Sequence, residues 1–107
     1  MNVIEVNSGN FRTEVLESSV PVLVDAYRPG CRPCQAAASI LEELADEMRG
    51  QVKIVKFDAD EELYLTAALR ISAVPTFLVF KDGQEVARMV GLSTKEHLRV
   101  ALLRIAA

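Results

Sequence analysis

Two cysteines, Cys31 and Cys34, are the residues best suited to chemistry in this chain, and only two residues separate them. A thiolate is both a nucleophile and a redox-active group, and this spacing allows one sulfur to reach the other. Two cysteines are too few for a disulfide framework, and a chain of 107 residues is long enough to fold without one. The pair therefore indicates either a redox site or part of a metal site.

A zinc site is the main alternative for the cysteine pair. Structural zinc normally needs a full tetrahedral set of protein ligands. The chain offers only Cys31, Cys34 and its single histidine, His97, as the usual sulfur and nitrogen ligands. His97 is predicted to lie on the last helix among charged residues, which is typical of a solvated surface position. We therefore expect no metal, and redox chemistry at the two thiols.

The pair falls where a buried strand is predicted to give way to a helix. Residues 20–24, VPVLV, form an apolar run that is typical of a central strand covered on both faces, and Asp25 ends that run. From residue 33 to residue 49 the apolar residues recur at helical spacing, and Gly50 follows as a helix terminator. Because the N-terminus of a helix favours negative charge, the thiolate of Cys31 would be stabilised there.

The rest of the sequence alternates between predicted strands and helices. Further strands are predicted at residues 3–6, 52–57, 75–80 and 85–90, and an Asp-Gly turn joins the last two. The remaining helix starts are predicted from N-cap side chains. Asn10 or Ser8 is expected to cap a helix that ends at residue 18, and Asp58 or Asp60 to cap a helix at residues 61–69. The capping box STKE at residues 93–96 predicts the start of the last helix. This order predicts an α/β fold with parallel crossovers and an antiparallel edge.

Composition and charge exclude several classes of protein. The net charge of −3 and the pI near 5.1 argue against nucleic acid or an anionic membrane as a primary partner. No apolar run approaches the roughly 20 residues needed to span a bilayer. The first residues lack the basic region and the long apolar core of a secretory signal. We expect a single domain over residues 1–107 that works in the cytoplasm as a monomer. The alternative is a mature exported form whose signal has already been removed.

Several motifs together resemble the thioredoxin family over nearly the whole chain. They fall in the family's order and spacing: VLVD at residues 22–25, CRPC at 31–34, KFDAD at 56–60, VPTF at 74–77, FKDG at 80–83, and Gly91. The resemblance implies a thioredoxin fold with a five-stranded mixed sheet flanked by four helices. It also implies a thiol–disulfide oxidoreductase that reduces protein disulfides, is itself reduced by a thioredoxin reductase, and needs no cofactor beyond its Cys31–Cys34 disulfide.

The resemblance also suggests roles for the residues around the disulfide. Cys31 is expected to be the attacking nucleophile and Cys34 the more buried resolving thiol. The aspartate that matches Asp25 is buried beneath the disulfide in the family, where it manages the proton of the resolving cysteine with help from a lysine that matches Lys56. A buried carboxyl with a raised pKa is suited to that task. A strand-end aspartate that simply faces water is the alternative for Asp25.

A second set of residues is expected to bind the substrate. Pro75 matches the family's cis proline, which faces the disulfide and aligns an extended substrate segment against the backbone of the preceding residue, here Val74. Gly91 is assigned to the same substrate-binding surface.

The active-site motif departs from the family at two positions. The family usually has WCGPC, whereas this chain has Gly30-Cys31-Arg32-Pro33-Cys34 and contains no tryptophan. A cation ~6 Å from a thiolate contributes about 0.7–3 kcal/mol over effective dielectric constants of roughly 80 to 20. Since this stabilises the reduced form, Arg32 is predicted to make the couple more oxidising than in a typical thioredoxin, and Gly30 and Pro33 are assigned with it to the redox-tuning residues. The alternative is an Arg32 that points into solvent with little effect.

A second function remains open on the sequence alone. The chain could be a thioredoxin-fold binding or assembly module, in which the cysteines matter little and the surface docks a partner. The retained cysteine pair, together with Asp25 and Pro75, favours the oxidoreductase.

Overall fold

A five-stranded mixed sheet separates two layers of helices. In the computed structural model, which describes residues 2–107, the strands are β1 (Ile4–Glu5), β2 (Val22–Tyr27), β3 (Lys53–Asp58), β4 (Thr76–Lys81) and β5 (Gln84–Val90). Their order across the sheet is β1-β3-β2-β4-β5. The first three strands in this order are parallel, and β4 is antiparallel to both β2 and β5. The mixed sheet predicted from the sequence is confirmed.

Four helical segments cover the sheet, two on each face. They are a π-helix at Arg12–Leu16 and the α-helices α1 (Arg32–Glu47), α2 (Leu63–Ala68) and α3 (Lys95–Ala106). One core contains apolar residues of α1 and α3, and the other contains residues from the π-helix region and α2. No helix in residues 2–107 is long and apolar enough to cross a membrane.

The central strand β2 supplies side chains to both cores. Leu23 packs with α1 and α3, whereas Val22 and Val24 pack on the opposite side, and all three are fully buried. Successive side chains of a strand point to opposite faces, so a strand covered on both sides must be apolar at every position. Burial of each such side chain contributes about 1.5–3 kcal/mol. The unbroken run therefore places β2, and the cysteine pair that follows it, at the middle of the sheet.

The strand continues beyond the point where the sequence predicts its end. Pairing with β3 extends to Tyr27 opposite Asp58, and pairing with β4 extends to Ala26 opposite Thr76. Asp25 therefore lies within β2, and the prediction that it ends the strand is wrong. Backbone hydrogen bonds to two neighbouring strands hold the extended conformation whatever the side chain, so the apolar run underestimates the strand's length.

The predicted helix starts also differ from the structure in detail. The first helical segment is the π-helix, and its N-cap is Phe11, because the Asn10 side chain accepts a hydrogen bond from the preceding Asn7 N–H at 2.7 Å. Helix α3 begins one residue later than the capping box predicts. Its N-cap is Thr94, which accepts from the His97 N–H at 3.1 Å.

Helix α2 begins at Leu63, after an N-cap residue that makes no side-chain capping bond. Asp58 instead accepts from the Asp60 N–H at 2.8 Å, and the Asp60 carboxylate pairs with Arg28 at 2.8 Å. The predicted caps are thus used in the loop that leads from β3 to α2, and the helix is shorter than the sequence indicates.

Arg88 of β5 fixes the end of α2. Its guanidinium donates to the carbonyl oxygens of Leu69 at 2.7 Å and Arg70 at 3.1 Å. The Glu85 carboxylate accepts from the Arg88 Nε at 2.8 Å and its Nη2 at 2.9 Å, which orients the guanidinium toward those carbonyls. Because the chain after Arg70 leads directly to Pro75, Arg88 anchors the segment that presents this proline.

We expect Arg88→Ala to lower the free energy of unfolding by about 1–2 kcal/mol, because two carbonyl oxygens lose a charged donor. Arg88→Lys should recover only part of this, since an ammonium cannot reproduce the planar fork of an arginine. Urea denaturation measures both changes, with Arg12→Ala, at an exposed position, as the control that stays within about 0.5 kcal/mol of the wild type. An Arg88→Ala variant as stable as this control would contradict the anchoring role.

Candidate active site

Cys31 and Cys34 form a disulfide at the junction between β2 and α1, with their Cα atoms 5.2 Å apart. Cys31 is the N-cap of α1, and its sulfur accepts a hydrogen bond from the Cys34 N–H at 3.2 Å. Cys34 is only 4% exposed, whereas Cys31 is partly accessible. The first turn of α1 thus directs an N–H group at the outer sulfur, which favours its thiolate when the disulfide is reduced.

The residues next to the disulfide give it an open surface. Arg32 and Pro33 are both exposed in the first turn of α1, where a proline is tolerated because its missing N–H would have no helical partner. Gly30 has a φ of +79°, and no atom lies within 4 Å of the position that a Cβ would occupy. A side chain at residue 30 would therefore have space but would strain the backbone by about 1–3 kcal/mol.

Asp25 lies beneath this surface and is only 3% exposed. Its Oδ1 atom has no hydrogen-bond partner within residues 2–107. The pKa of Asp25 is raised from 3.8 to about 7, chiefly because burial disfavours the carboxylate, and Glu5 adds to the rise while Lys56 opposes it. The alternative of a strand-end aspartate that faces water is excluded. This carboxyl can gain or lose a proton near neutral pH.

Lys56 is the cation nearest to Asp25 in the sheet. The two residues are paired across β3 and β2, so their side chains share one face. The ammonium of Lys56 lies 5.7 Å from the ring centroid of Tyr27. The Tyr27 hydroxyl in turn donates to the Glu5 carboxylate at 2.7 Å. Four polar groups therefore occupy the α1 side of the sheet beside the disulfide.

The buried Asp25 residue lines two cavities. One, of about 170 Å³, extends toward Cys34 and Gly30, and the other, of about 180 Å³, extends toward Ser39 and Glu42. Asp25, Ala38 and Lys56 line both. Each cavity exceeds the roughly 30 Å³ that one water molecule occupies in the liquid, and Asp25 supplies a polar partner. The cavity of about 170 Å³ thus brings the Asp25 carboxyl and Cys34 to one space that is large enough for water.

The predicted substrate-binding residues meet at the same end of the sheet. The Val74–Pro75 peptide bond is cis, as the resemblance predicts. The Gly91 N–H donates to the Pro75 carbonyl at 2.8 Å, which joins the start of β4 to the end of β5. Because Thr76 pairs with Ala26 near the end of β2, this segment lies beside the loop that carries Cys31.

His97 lies apart from these residues, exposed in the first turn of α3. Within the part of the chain that the structure describes, no cluster of three or more His, Cys, Asp or Glu side chains could hold a metal ion.

Comparisons with known proteins agree with this geometry. The family model described as Thioredoxin matches residues 2–104. The chain belongs to the thioredoxin family. It is 43% identical over 93 residues to Thioredoxin 1 of Synechococcus elongatus, covering 87% of each chain. It is 40% identical over 96 residues to Thioredoxin of Haemophilus influenzae, covering 90% of each chain.

A third relative joins two activities in its name. The chain is 40% identical over 101 residues to the Bifunctional thioredoxin reductase/thioredoxin of Mycobacterium leprae, covering 94% of this chain and 21% of that protein.

Family membership settles the fold and the class of reaction. The chain has the thioredoxin fold, and its Cys-x-x-Cys pair forms the disulfide of a thiol–disulfide oxidoreductase that reduces protein disulfides. As in other thioredoxins, this disulfide takes the place of a cofactor.

One contact at this thioredoxin-like site could not be found from the sequence. Glu5 lies in a strand of two residues, and nothing in the local sequence indicates that its carboxylate accepts from Tyr27. In the sequence, Glu5 stands out only as an acidic residue between apolar ones in the first predicted strand. The register between β1 and β3, which places Glu5 opposite Lys56, is needed to find the contact.

The raised pKa of Asp25 predicts how stability depends on pH. The folded oxidised protein binds a proton at Asp25 more tightly than the unfolded chain does, since the pKa rises from 3.8 to about 7. The resulting stabilisation is complete below about pH 4 and is lost as the pH rises toward 7. Its full size is about 4 kcal/mol at ~1.4 kcal/mol per pKa unit. Asp25→Asn, which cannot ionise, should remove this dependence and be more stable than the wild type at pH 8.

Chemical denaturation of the oxidised protein between pH 4 and pH 8 measures this effect. Glu17→Gln is the matched control, because Glu17 is exposed at the end of the π-helix and its loss changes the net charge equally. The control should keep the wild-type pH dependence. An Asp25→Asn variant that also keeps it would show that the buried carboxyl does not titrate in this range.

Proposed function

We propose that Cys31 attacks the substrate disulfide and that Cys34 resolves the mixed disulfide. The observation that carries this assignment is the hydrogen bond from the Cys34 N–H to the Cys31 sulfur at the start of α1. It favours the thiolate at the accessible sulfur, whereas Cys34 is buried beneath it. Because the Cys31 sulfur is the accessible one, it meets the substrate before Cys34 does.

The exchange proceeds in two substitutions at sulfur. The Cys31 thiolate forms a bond to one substrate sulfur, the substrate S–S bond breaks, and the other substrate sulfur leaves as a thiolate. The Cys34 thiolate then attacks the Cys31 sulfur and displaces the remaining substrate thiolate. The substrate gains two electrons, and the protein is left with its Cys31–Cys34 disulfide. A proton must leave Cys34 before the second step and must be returned when the protein is reduced again.

Asp25 is proposed as the group that moves this proton. It lines the cavity that reaches Cys34, and its pKa of about 7 suits exchange with a thiol at neutral pH. Lys56 lowers the pKa of Asp25 and lines the same cavity. The ammonium thus limits the proton affinity that burial gives to the carboxyl.

Val74, Pro75 and Gly91 are proposed to bind the substrate chain. The cis bond turns the backbone of Val74 at the start of β4, and the Gly91 N–H bonded to Pro75 holds this turn in place. An extended segment that carries the target disulfide would lie along Val74 with its sulfur directed at Cys31. Thioredoxins act on disulfide-containing proteins, and the substrates of this chain are proposed to be proteins of that kind.

A thioredoxin reductase is proposed as the electron donor. The relative whose name unites thioredoxin reductase with thioredoxin supports this pairing. We propose further that the chain acts as a monomeric single domain in the cytoplasm, in line with the acidic charge and the absence of an apolar run long enough to span a membrane.

Arg32 is proposed to make the couple more oxidising than in a thioredoxin with glycine at this position. Arg32 forms no salt bridge or side-chain hydrogen bond in the described part of the chain, and it is exposed. Its charge is therefore free to act on Cys31, but through water. The lower end of the Coulomb range, about 0.7 kcal/mol at ~6 Å, is the one that applies to such an exposed charge.

The cysteine roles are tested with variants in an insulin-reduction assay. Cys31→Ser should lose turnover entirely, because no attacking thiolate remains. Cys34→Ser should lose turnover as well but accumulate a covalent complex with the substrate, which non-reducing gel electrophoresis detects. Glu17→Gln serves as the active control. A wild type that does not reduce insulin would instead support a binding module, and accumulation of the complex in Cys31→Ser would reverse the two roles.

The role of Arg32 is tested by the reduction potential. Arg32→Gln should lower the potential by about 15 mV, since about 1.4 kcal/mol corresponds to ~30 mV for this two-electron couple. Arg32→Lys keeps the charge and should stay near the wild type, and Arg12→Gln, at an exposed position on the π-helix, controls for net charge. Equilibration with glutathione at low ionic strength measures all three. A potential for Arg32→Gln equal to that of the Arg12→Gln control would mean that Arg32 does not tune the couple.

A further inference from the structure

Glu5, Lys56 and Asp25 form one row across three neighbouring strands. Glu5 pairs with Lys56 between β1 and β3, and Lys56 pairs with Asp25 between β3 and β2. Paired residues of adjacent strands direct their side chains to the same face of the sheet. One ammonium therefore lies between two carboxyl groups, of which Asp25 is buried and Glu5 is exposed at the edge of the sheet.

Lys56 does not complete the hydrogen bonds of the buried member of this row. The Asp25 Oδ1 atom has no partner in the described chain, whereas the Lys56 ammonium lies 5.7 Å from the centroid of the Tyr27 ring. The Tyr27 hydroxyl is bonded to Glu5 at 2.7 Å. The ring and the Glu5 carboxylate both attract the ammonium, and the hydrogen bond between them holds them together. Their combined pull is directed toward the Tyr27 ring and the Glu5 carboxylate bonded to it, and not toward Asp25.

We propose that Glu5 is a positioning residue for the proton transfer at Asp25: together with Tyr27 it holds the Lys56 ammonium near the Tyr27 ring and so prevents its direct pairing with the buried carboxyl. This inference rests on the proposed function, in which Asp25 exchanges a proton with Cys34. An ammonium bonded directly to Asp25 would hold the carboxylate in its charged form and make it a weak proton acceptor. Glu5 thereby keeps the proton affinity of Asp25 high enough for exchange with a thiol.

The other groups around Asp25 leave this role to Glu5. Strand β4 presents Phe77 opposite Asp25 and adds no charge. Helix α1 contributes Cys34 in one cavity and Glu42 in the other, and the loop after β2 contributes Arg28, whose guanidinium is paired with Asp60 at 2.8 Å. Of these groups, Lys56 and Glu5 are the charges that alter the pKa of Asp25, in opposite directions.

The test is a titration of Asp25 in the oxidised full-length protein, followed by carbon NMR of its carboxyl group. Glu5→Gln keeps an oxygen that can accept from Tyr27 and removes only the charge. At roughly 10 Å, two strand spacings, loss of the direct repulsion lowers the proton affinity of Asp25 about twofold in water-like dielectric. If Glu5 also holds Lys56 away, the fall in Glu5→Gln should exceed fourfold. A fall of fourfold or less would overturn the inference.

A variant that lacks the Lys56 ammonium isolates the part of the Glu5 effect that acts through Lys56. In Lys56→Met, substitution of Glu5 should produce only the direct change of about twofold, because no ammonium remains to move. The same large change with and without Lys56 would overturn the positioning role. Tyr27→Phe keeps the aromatic ring but removes the hydrogen bond to Glu5. It should lower the proton affinity of Asp25 by less than Glu5→Gln does. Glu17→Gln, on the segment that packs against the opposite face of the sheet, should leave the titration unchanged.

The outcome can be distinguished from a failure of the proposed function. The pH dependence of insulin reduction should move with the Asp25 titration in Glu5→Gln. Activity of Asp25→Asn reports separately on whether Asp25 moves the proton. A normal rate in Asp25→Asn would contradict the role of Asp25 without changing the titration result, and an unshifted titration in Glu5→Gln would contradict only the role of Glu5.

Discussion

A carboxyl group buried inside the central strand is the constraint on which the site depends. Two neighbouring strands hold the backbone of β2 on both sides of Asp25, and its side chain, on the face of the sheet that α1 covers, is only 3% exposed. A buried carboxylate without hydrogen bonds is costly, and the pKa of Asp25 rises to about 7 in response. The fold therefore gives up stability at neutral pH to keep a carboxyl group with a raised pKa beneath the disulfide. Two cavities are lined in part by that group.

Helix α1 imposes the complementary condition on sulfur. Its first turn directs the Cys34 N–H at Cys31, and this arrangement requires the chain to leave β2, turn and begin a helix within a few residues. Gly30 permits that turn, because its φ of +79° lies in the left-handed region that a residue with a Cβ rarely adopts. The glycine thus does more than remove an aromatic side chain: the backbone geometry here disfavours such a side chain. Gly30 therefore accounts both for the open surface beside Cys31 and for the conformation of the loop.

The sequence predicts the order of elements well because each signal is local. The apolar run of β2, the helical spacing of α1 and the Asp-Gly turn before β5 all report on their immediate surroundings. The errors lie where a distant partner decides the outcome. Strand β2 extends through Asp25 because β3 and β4 pair with it, and Asn10 fails to cap because its side chain bonds to Asn7. The register between strands decides the pairing of β2, and competition between hydrogen-bond acceptors decides the contact of Asn10. A short stretch of sequence contains information on neither.

The candidate site shows the same division between local and distant information. Cys31 and Cys34 could be found from their spacing, and Asp25, Lys56 and Pro75 only through the family resemblance. Glu5 could be found by neither, because its relevance arises from the pairing of a two-residue edge strand with β3.

The charges proposed to act on the sulfurs and the charges that act on Asp25 lie in different parts of the site. The charge that is free to act on the sulfurs belongs to exposed Arg32, since nearby Arg28 is paired with Asp60. The charges that act on the Asp25 proton belong to Lys56 and Glu5, on the side of β2 away from β4. Salt screens the first set strongly, because exposed charges interact through water. It screens the second set less, because α1 and the sheet shield the Asp25 end of the row. If the proposed roles hold, a substitution at Arg32 acts first on the Cys31 thiolate and a substitution at Glu5 acts first on the Asp25 carboxyl, so the two sites are expected to differ in their dependence on salt.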